Sequence, residues 1–377
     1  MCQDPFRQVT FSHITLKGSA YKIGRTQAEI VKQMPELAKF LSSGAKTLSP
    51  PVFEIASNLF EKYCPGVNEE IRGLADGLGV PVEHIIYYAE TYLRAGHCSH
   101  LAVLPSISES RHVLVGRSYE FGDTMDDLRL CSMHVDGKYA YVGFSGLLFG
   151  CHEGMNEHGL SVTTSVGGMP VSTLEGFRPP IQDGLQFWAL VRAVLEQCRT
   201  VDEALRLIGE TPTCGNPNLI VADKGGSAAL VEIFGPHKAV KRVDDSGPEK
   251  YLCSTNHFTI PEMRQHDSSA MRNSRIRYQT IQASLDQAAP RITRETIKTL
   301  LSTRYPEGLC CHYYDEFFGT LRSIVFDLTA GELEVCFGSP AIGDWHQVDL
   351  TSPSGATQYP IQLPLEKADP SFWEQTA

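Results

Sequence analysis

The chain has 377 residues, with 33 Lys and Arg against 44 Asp and Glu, for a formal net charge of −11. Hydrophobic residues make up 42% and charged residues 20%, which supplies a buried core and excludes global disorder. The acidic balance argues against nucleic acid as a partner, because phosphate binding needs a net basic face.

No apolar run of about 18 residues is present, so no membrane-spanning helix is expected. The N-terminus, Met1-Cys2-Gln3-Asp4-Pro5-Phe6-Arg7, lacks the basic start and apolar stretch of a signal peptide, and a cytoplasmic protein is expected. Eleven cysteines without a C-x-x-C spacing fit a reducing compartment and indicate neither a zinc knuckle nor a thioredoxin-type site. No metal or other cofactor is expected.

The first ninety-odd residues read as helical. Apolar residues recur at helical spacing from Ile23 to Phe40, and Pro50-Pro51 then interrupts. Val52–Tyr63 and Val67–Gly77 predict two more helices, and Pro81, as a first-turn proline, starts another through Leu93. From Cys98 the texture changes to strands: Leu101–Leu104, the alternating His112–Arg117, Tyr139–Phe144 and Leu160–Val166. Gln186–Cys198 returns to helix, and Thr200-Val201-Asp202-Glu203 reads as a capping box opening the next one.

Asp223-Lys224-Gly225-Gly226 between two β-rich runs predicts a hairpin, as does Ala330-Gly331 between Ser323–Leu328 and Glu332–Phe337. A polar helical region fills 273–301, and the Pro-rich tail after Pro353 reads as a surface extension. The order of helices, strands, helices, strands predicts an α+β layered protein with antiparallel sheets.

Three local features carry chemistry. In Ala95-Gly96-His97-Cys98-Ser99-His100 a cysteine opens the first strand after a glycine turn, although free Cys is ordinarily a packed hydrophobe. His97 and His100 are placed either to lower that thiol's pKa or as loop residues. In Val115-Gly116-Arg117-Ser118-Tyr119-Glu120-Phe121 a hairpin returns Arg117 and Glu120 beside Cys98. There Arg117 would keep the thiol ionised and Glu120 would orient its proton carriers; a surface ion pair is the plainer reading. In Ser254-Thr255-Asn256-His257-Phe258 the Asn amide is a suitable oxyanion donor, and Arg275 and Arg277 follow on one helix. Cys310-Cys311-His312 reads as packing, since adjacent cysteines ligate one tetrahedral metal poorly. Trp188, Phe187 and Leu185 read as core, while Phe144, Phe149 and Met169 are candidates for an acyl pocket.

Taken in order, these motifs, with Gly154-Met155-Asn156-Glu157-His158-Gly159-Leu160 between them, resemble the acyl-coenzyme A:6-aminopenicillanic acid acyltransferase family. That family belongs to the N-terminal-nucleophile hydrolases and is related to the choloylglycine hydrolases and penicillin V acylases. His13–Gly24 and Asn68–Ala75 resemble its pro-region, so the likeness runs from about residue 13 to 340.

The resemblance implies a four-layer αββα sandwich with an N-terminal helical pro-segment. It divides the chain into a pro-segment 1–97, a catalytic domain 98–352 and a tail 353–377. It also implies self-cleavage between His97 and Cys98, leaving a heterodimer of the two fragments. The new α-amine of Cys98 would be the general base for its own thiol. The substrate would be a small acyl amide or thioester, resolved through a Cys98 thioester.

Carried over by position, Cys98 is the nucleophile, with Arg117 close to it, Glu120 where relatives have Asp, and Asn256 the oxyanion donor. The distal arginine is Arg277, a slightly better fit than Arg275. With Ser165 and Ser274 nearby and no Asn at this point, the second oxyanion donor falls to the Val166 backbone N–H, and Phe144 is assigned to the pocket. Glu120 and His97, the latter standing where Gly is usual, depart from the family pattern. An uncleaved thiol hydrolase using a histidine, or a non-catalytic binding protein of the same fold, stays open as an alternative.

Overall fold

A computed structural model of the chain describes residues 5–34, 38–39, 41, 49–85, 97–146, 148–171, 178–268, 270–350 and 357–376. The helix expected over Pro81–Leu93 appears as Val82–Ile85; its remainder, with Ala95 and Gly96, lies outside the described residues.

The strands in chain order are β1 (Phe6–Gly18), β2 (His97–Val103), β3 (Leu114–Phe121), β4 (Arg129–Val135), β5 (Tyr141–Gly146), β6 (Gly150–Asn156) and β7 (Leu160–Val166). They continue with β8 (Pro217–Asp223), β9 (Ser227–Phe234), β10 (His237–Asp244), β11 (Tyr251–Ser254), β12 (Ala270–Met271) and β13 (His312–Tyr313). The last five are β14 (Phe318–Asp327), β15 (Glu332–Phe337), β16 (Trp345–Val348), β17 (Thr357–Pro364) and β18 (Gln375–Thr376). The main helices are α1 (Ala20–Val31), α2 (Pro50–Tyr63), α3 (Val67–Leu78), α4 (Phe187–Gln197), α5 (Val201–Glu210), α6 (Arg272–Ala288) and α7 (Arg294–Ser302).

A nine-stranded sheet runs in the order β10-β9-β8-β7-β6-β5-β4-β1-β17. The second sheet runs β11-β2-β3-β14-β15-β16, with β13 beside β14. Alternation along the strands sorts side chains into three layers. Val115, Tyr119, Ile324 and Phe326 of one sheet meet Leu130, Val142, Phe144 and Ile220 of the other. On the outer face of the larger sheet, Leu190, Val191 and Val194 of α4 cover Cys131, Met133 and Val162. On the other outer face, Ile281 and Leu285 of α6, with Ile297 and Leu301 of α7, cover Leu101, Val103 and Val325. The result is the expected αββα sandwich, and both predicted hairpins form, as β8–β9 and β14–β15.

Three expectations are corrected. The opening of the chain is not helical throughout, because Phe6–Gly18 is a 13-residue strand pairing in parallel with β4 and antiparallel with β17. The tail is not a surface extension: β17 closes the larger sheet, with Leu363 fully buried, and Phe372 packs on Phe318. At α5, Thr200 Oγ1 accepts from the Glu203 amide, but Glu203 reaches back to the amide of Arg199, one residue before the cap.

The N-terminal helices dock by close backbone approach. A Cβ on Gly24 of α1 would stand 1.9 Å from the Glu70 carbonyl oxygen of α3, and one on Gly73 would stand 2.1 Å from that of Tyr21. Beneath this crossing, Arg192 of α4 donates to Glu70 at 2.6 Å, to Glu196 at 2.7 Å and to the Phe149 carbonyl at 2.5 Å. All three charged side chains are buried. Replacing Arg192 by Met strands two buried carboxylates. The expected cost is about 3–5 kcal/mol in urea unfolding, and a loss below about 1 kcal/mol would show that the triad does not anchor these helices.

Candidate active site

Cys98 lies at the start of β2, where the hairpin register sets it opposite Tyr119 and sets His100 opposite Arg117. Its thiol faces the inter-sheet layer and is 3% exposed. Arg117 Nη2 donates to Cys98 Sγ at 3.0 Å, and Arg117 Nε donates to Glu153 Oε2 at 3.0 Å. Glu153 Oε1 accepts from Arg322 Nε at 2.7 Å, and Arg322 Nη1 continues to Asp126 at 3.1 Å. The Arg322 guanidinium lies 3.7 Å from the Tyr119 ring centre and 4.3 Å from that of Phe144. Two arginines hold the Glu153 carboxyl down at about 2 against its own burial. For Cys98, burial outweighs Arg117 and pushes the thiol up to about 11.

A second set of contacts holds the Cys98 backbone. Its N–H donates to Asn256 Oδ1 at 3.0 Å, and its carbonyl accepts from Arg277 Nη1 at 2.7 Å. Arg277 also donates to Ser99 Oγ at 2.8 Å, to Asn256 Oδ1 at 2.8 Å and to Asn273 Oδ1 at 2.9 Å. Two donors on Oδ1 fix the amide orientation, so Asn256 Nδ2 points to the Val166 carbonyl at 3.3 Å. An amide carries two N–H groups, which leaves the other for an incoming oxygen. Ser274 Oγ accepts from the Asn256 amide at 2.8 Å and meets His257 Nδ1 at 2.8 Å, so it braces Asn256 from behind. Arg275 instead turns to the Ser268 carbonyl at 3.5 Å.

Glu120 sits apart from Arg117. Three residues along a strand reverse the face, and Glu120 Oε1 accepts from Ser118 Oγ and, at 3.3 Å, from Thr320 Oγ1 on the helix side of the sheet. A bulge between Thr320 and Arg322 makes this possible, since it pairs Thr320 with Glu120 and Arg322 with Tyr119 on opposite faces. Among the described residues Glu120 Oε2 is buried without a hydrogen-bond partner. Burial raises the carboxyl to about 7, and Arg277 opposes the shift.

The flanking histidines are committed elsewhere. His100 bonds Thr163 Oγ1 at 2.7 Å and Ser165 Oγ at 3.2 Å, and burial with Arg117 nearby holds it well below the usual imidazole range. His97 stacks on Phe318 with ring centres 4.3 Å apart, and burial takes it to about 3. Ser165 Oγ donates to the Thr255 carbonyl at 2.5 Å and is structural in this arrangement. Phe144 is fully buried between Arg322 and Phe337. Phe149 packs with the N-terminal helices, as does Trp188, and Met169 is 44% exposed.

Cys98, Arg117, Asn256, Val166 and Arg277 therefore converge. Glu153, Arg322, Asp126 and Asn273 carry no motif that singles them out in the sequence, although Glu153 directly precedes Gly154-Met155-Asn156. That motif is itself a clamp, with Asn156 Nδ2 donating to the Leu195 and Cys198 carbonyls at 2.9 and 2.8 Å. Among the described residues no cluster of His, Cys, Asp and Glu is disposed to hold a metal ion, and no helix is long and apolar enough to cross a membrane.

Two sheets face to face between helical layers make the αββα sandwich that the resemblance of the sequence motifs implies. Residues 107–342 match the acyl-coenzyme A:6-aminopenicillanic acid acyl-transferase family, and the chain belongs to it. Cys98 lies just before the matched segment. An uncharacterized protein of Archaeoglobus fulgidus is 23% identical over 398 residues, covering 89% of this chain and 65% of that protein. The chain thus spans about 65% of the length of that curated relative. Among solved structures, penicillin V acylase from Agrobacterium tumefaciens is similar at TM-score 0.44 and 19% identity, covering 69% of this chain and 90% of that one. A mutant conjugated bile acid hydrolase from Clostridium perfringens is similar at TM-score 0.44 and 13% identity, covering 72% and 99%.

Two measurements test the electrostatics. Arg117→Met removes the cation on Cys98 Sγ and raises the thiol further. Because the thiolate is the reacting form, iodoacetamide alkylation of Cys98 at pH 7, followed by peptide mass mapping, is expected to slow about tenfold or more; an unchanged rate would contradict the assignment. Glu120, raised from 4.5 to about 7, binds more protons folded than unfolded between those values. Its contribution to stability therefore falls as pH rises through that window. Glu120→Gln should flatten the decline of melting temperature between pH 5 and 7.5, and identical slopes would remove Glu120 as the cause.

Proposed function

We propose that the chain is a self-processing N-terminal cysteine amidohydrolase that resolves a Cys98 thioester with water, or with an amine as an acyltransferase. The carrying observation is the placement of Cys98, with its N–H on Asn256 Oδ1 at 3.0 Å and its Sγ on Arg117 at 3.0 Å.

In the first stage Cys98 Sγ attacks the His97 carbonyl carbon. The His97–Cys98 C–N bond breaks, and its nitrogen takes the thiol proton. Water then hydrolyses the thioester and leaves 97 with a carboxylate and Cys98 with a free α-amine. The stacking of His97 on Phe318 steadies the acyl side of the bond to be cut.

In the second stage the α-amine takes the thiol proton, and Sγ attacks the carbonyl of a linear acyl amide or thioester. The free N–H of Asn256 and the Val166 backbone N–H receive the oxyanion, a role whose loss costs about 2.7–4 kcal/mol in enzymes of this kind of chemistry. The leaving amine or thiol departs with the proton, and water or an acceptor amine releases the acyl group. Arg117 stabilises the thiolate, and Arg277 keeps Cys98 and Asn256 in register. The 1–97 fragment stays bound through β1 and the Glu70–Arg192 pair.

Intact mass and N-terminal sequencing of the purified protein, beside Cys98→Ala, test the scheme. Two fragments are expected, the larger beginning Cys98-Ser99-His100-Leu101, with the variant left whole. A single uncut wild-type chain that still turns over an amide would overturn the α-amine base.

A further inference from the structure

A second nucleophile, base and carboxylate stand in hydrogen-bonding order on the far side of β14 from Cys98. Ser339 Oγ lies 2.6 Å from His312 Nε2, and His312 Nδ1 lies 3.1 Å from Glu366 Oε1. Arg304 holds Glu366 with both Nη groups, one of them at 3.0 Å. Three separate elements meet here. His312 is on β13, Glu366 follows β17 with its amide on the His312 carbonyl, and Ser339 follows β15. The turn into Ser339 passes through Gly338 at φ 76°, a left-handed conformation that favours glycine.

We infer that Ser339, His312 and Glu366 form a second acyl-transfer site, independent of Cys98, that cleaves small uncharged esters. Triads of this kind are recognised by geometry and roles on unrelated folds, not by sequence position.

Ser339 lines a cleft of about 410 Å³ whose walls include Phe337, Ile342, Tyr359 and Ile361. Those walls suit an apolar acyl or aryl group, and Asp344 on the same cleft disfavours an anionic one. Ser339 itself is 1% exposed, so the proposal requires a substrate in this cleft to reach the hydroxyl past its walls. Burial keeps His312 below the usual imidazole range and hence neutral at pH 7, as a base must be. The Cys310 thiol, 3.2 Å from Ser339 Oγ, is kept protonated by burial and does not compete as a nucleophile.

In the step itself Ser339 Oγ bonds to the ester carbonyl carbon while its proton passes to His312 Nε2. The C–O bond to the alcohol breaks, and the alkoxide leaves with that proton. Water then attacks the acyl-serine, gives its proton to His312, and releases the acid as Ser339 is reprotonated. Glu366 orients the imidazole and accepts from Nδ1 throughout.

The test uses the whole protein with Cys98 first blocked by iodoacetamide, then treated with a fluorophosphonate and mapped by peptide mass. A phosphonyl adduct on Ser339 is expected. Hydrolysis of 4-nitrophenyl butyrate should survive Cys98 alkylation and fall at least about hundredfold in Ser339→Ala. Thermal melting checks that this variant is folded, and Glu366→Gln, which keeps the volume, should slow labelling with the hydroxyl intact. A folded wild-type protein whose Ser339 peptide carries no adduct, or a Ser339→Ala variant with undiminished esterase rate, overturns the assignment. Neither result bears on Cys98, because that residue is blocked throughout.

Discussion

Everything at the Cys98 site hangs on a guanidinium buried between two sheets. Arg117 is fully enclosed, and a cation in that position survives only with its N–H groups matched. Cys98 Sγ, Glu153 and the Ser118 carbonyl match them. Glu153 in turn needs Arg322, and Arg322 needs Asp126, so the chain of charges closes only when two arginines meet two carboxylates. Members of such a set come from β3, β6, β14 and the loop before β4. The αββα packing thus fixes the Cys98 side chain, and the partners of Cys98 in turn tie the two sheets together.

This network also explains why the thiol stays protonated in the intact chain. Cys98 N is an amide engaged with Asn256, and an amide nitrogen is no base. Arg117 favours the thiolate, yet burial prevails. His100, the one imidazole that the strand pairing sets beside Arg117, is held by Thr163 and Ser165. In the proposed reading a base arrives only with the new amino terminus, which ties activity to processing.

The elements legible in the sequence were those with local signals. Asp223-Lys224-Gly225-Gly226 and Ala330-Gly331 each announce a turn whose strands are neighbours in the chain. β1 was not legible, because its partners β4 and β17 lie more than a hundred residues away and nothing between them marks the pairing. Cys98, Arg117, Asn256 and Arg277 were found through motifs whose order resembles a known family. Glu153 and Arg322 were missed because charged residues inside strands read as solvent-facing, whereas here each is the other's partner. The bulge at Leu321 compounds this, since strict alternation would put Arg322 on the face that Thr320 occupies.

Glu120 shows how far a substitution can be read from chemistry alone. Glu120 stands where the resembled family has Asp, and the structure shows how the carboxyl is held at this position. One oxygen is held by Ser118 and Thr320, the other is buried without a partner among the described residues, and Arg277 is bonded to Cys98, Ser99, Asn256 and Asn273. A carboxyl so placed titrates at about 7, where its charge changes in the working range. Burial is the main cause of the raised Cys98 thiol, and the Glu120 charge adds to it, so protonating Glu120 eases ionisation of the thiol. The two groups lie on opposite faces of one sheet, and their arginines differ in kind: Arg117 donates to the thiol from the inter-sheet face, whereas Arg277, bonded to Cys98, Ser99, Asn256 and Asn273, only opposes the rise of the carboxyl by its charge.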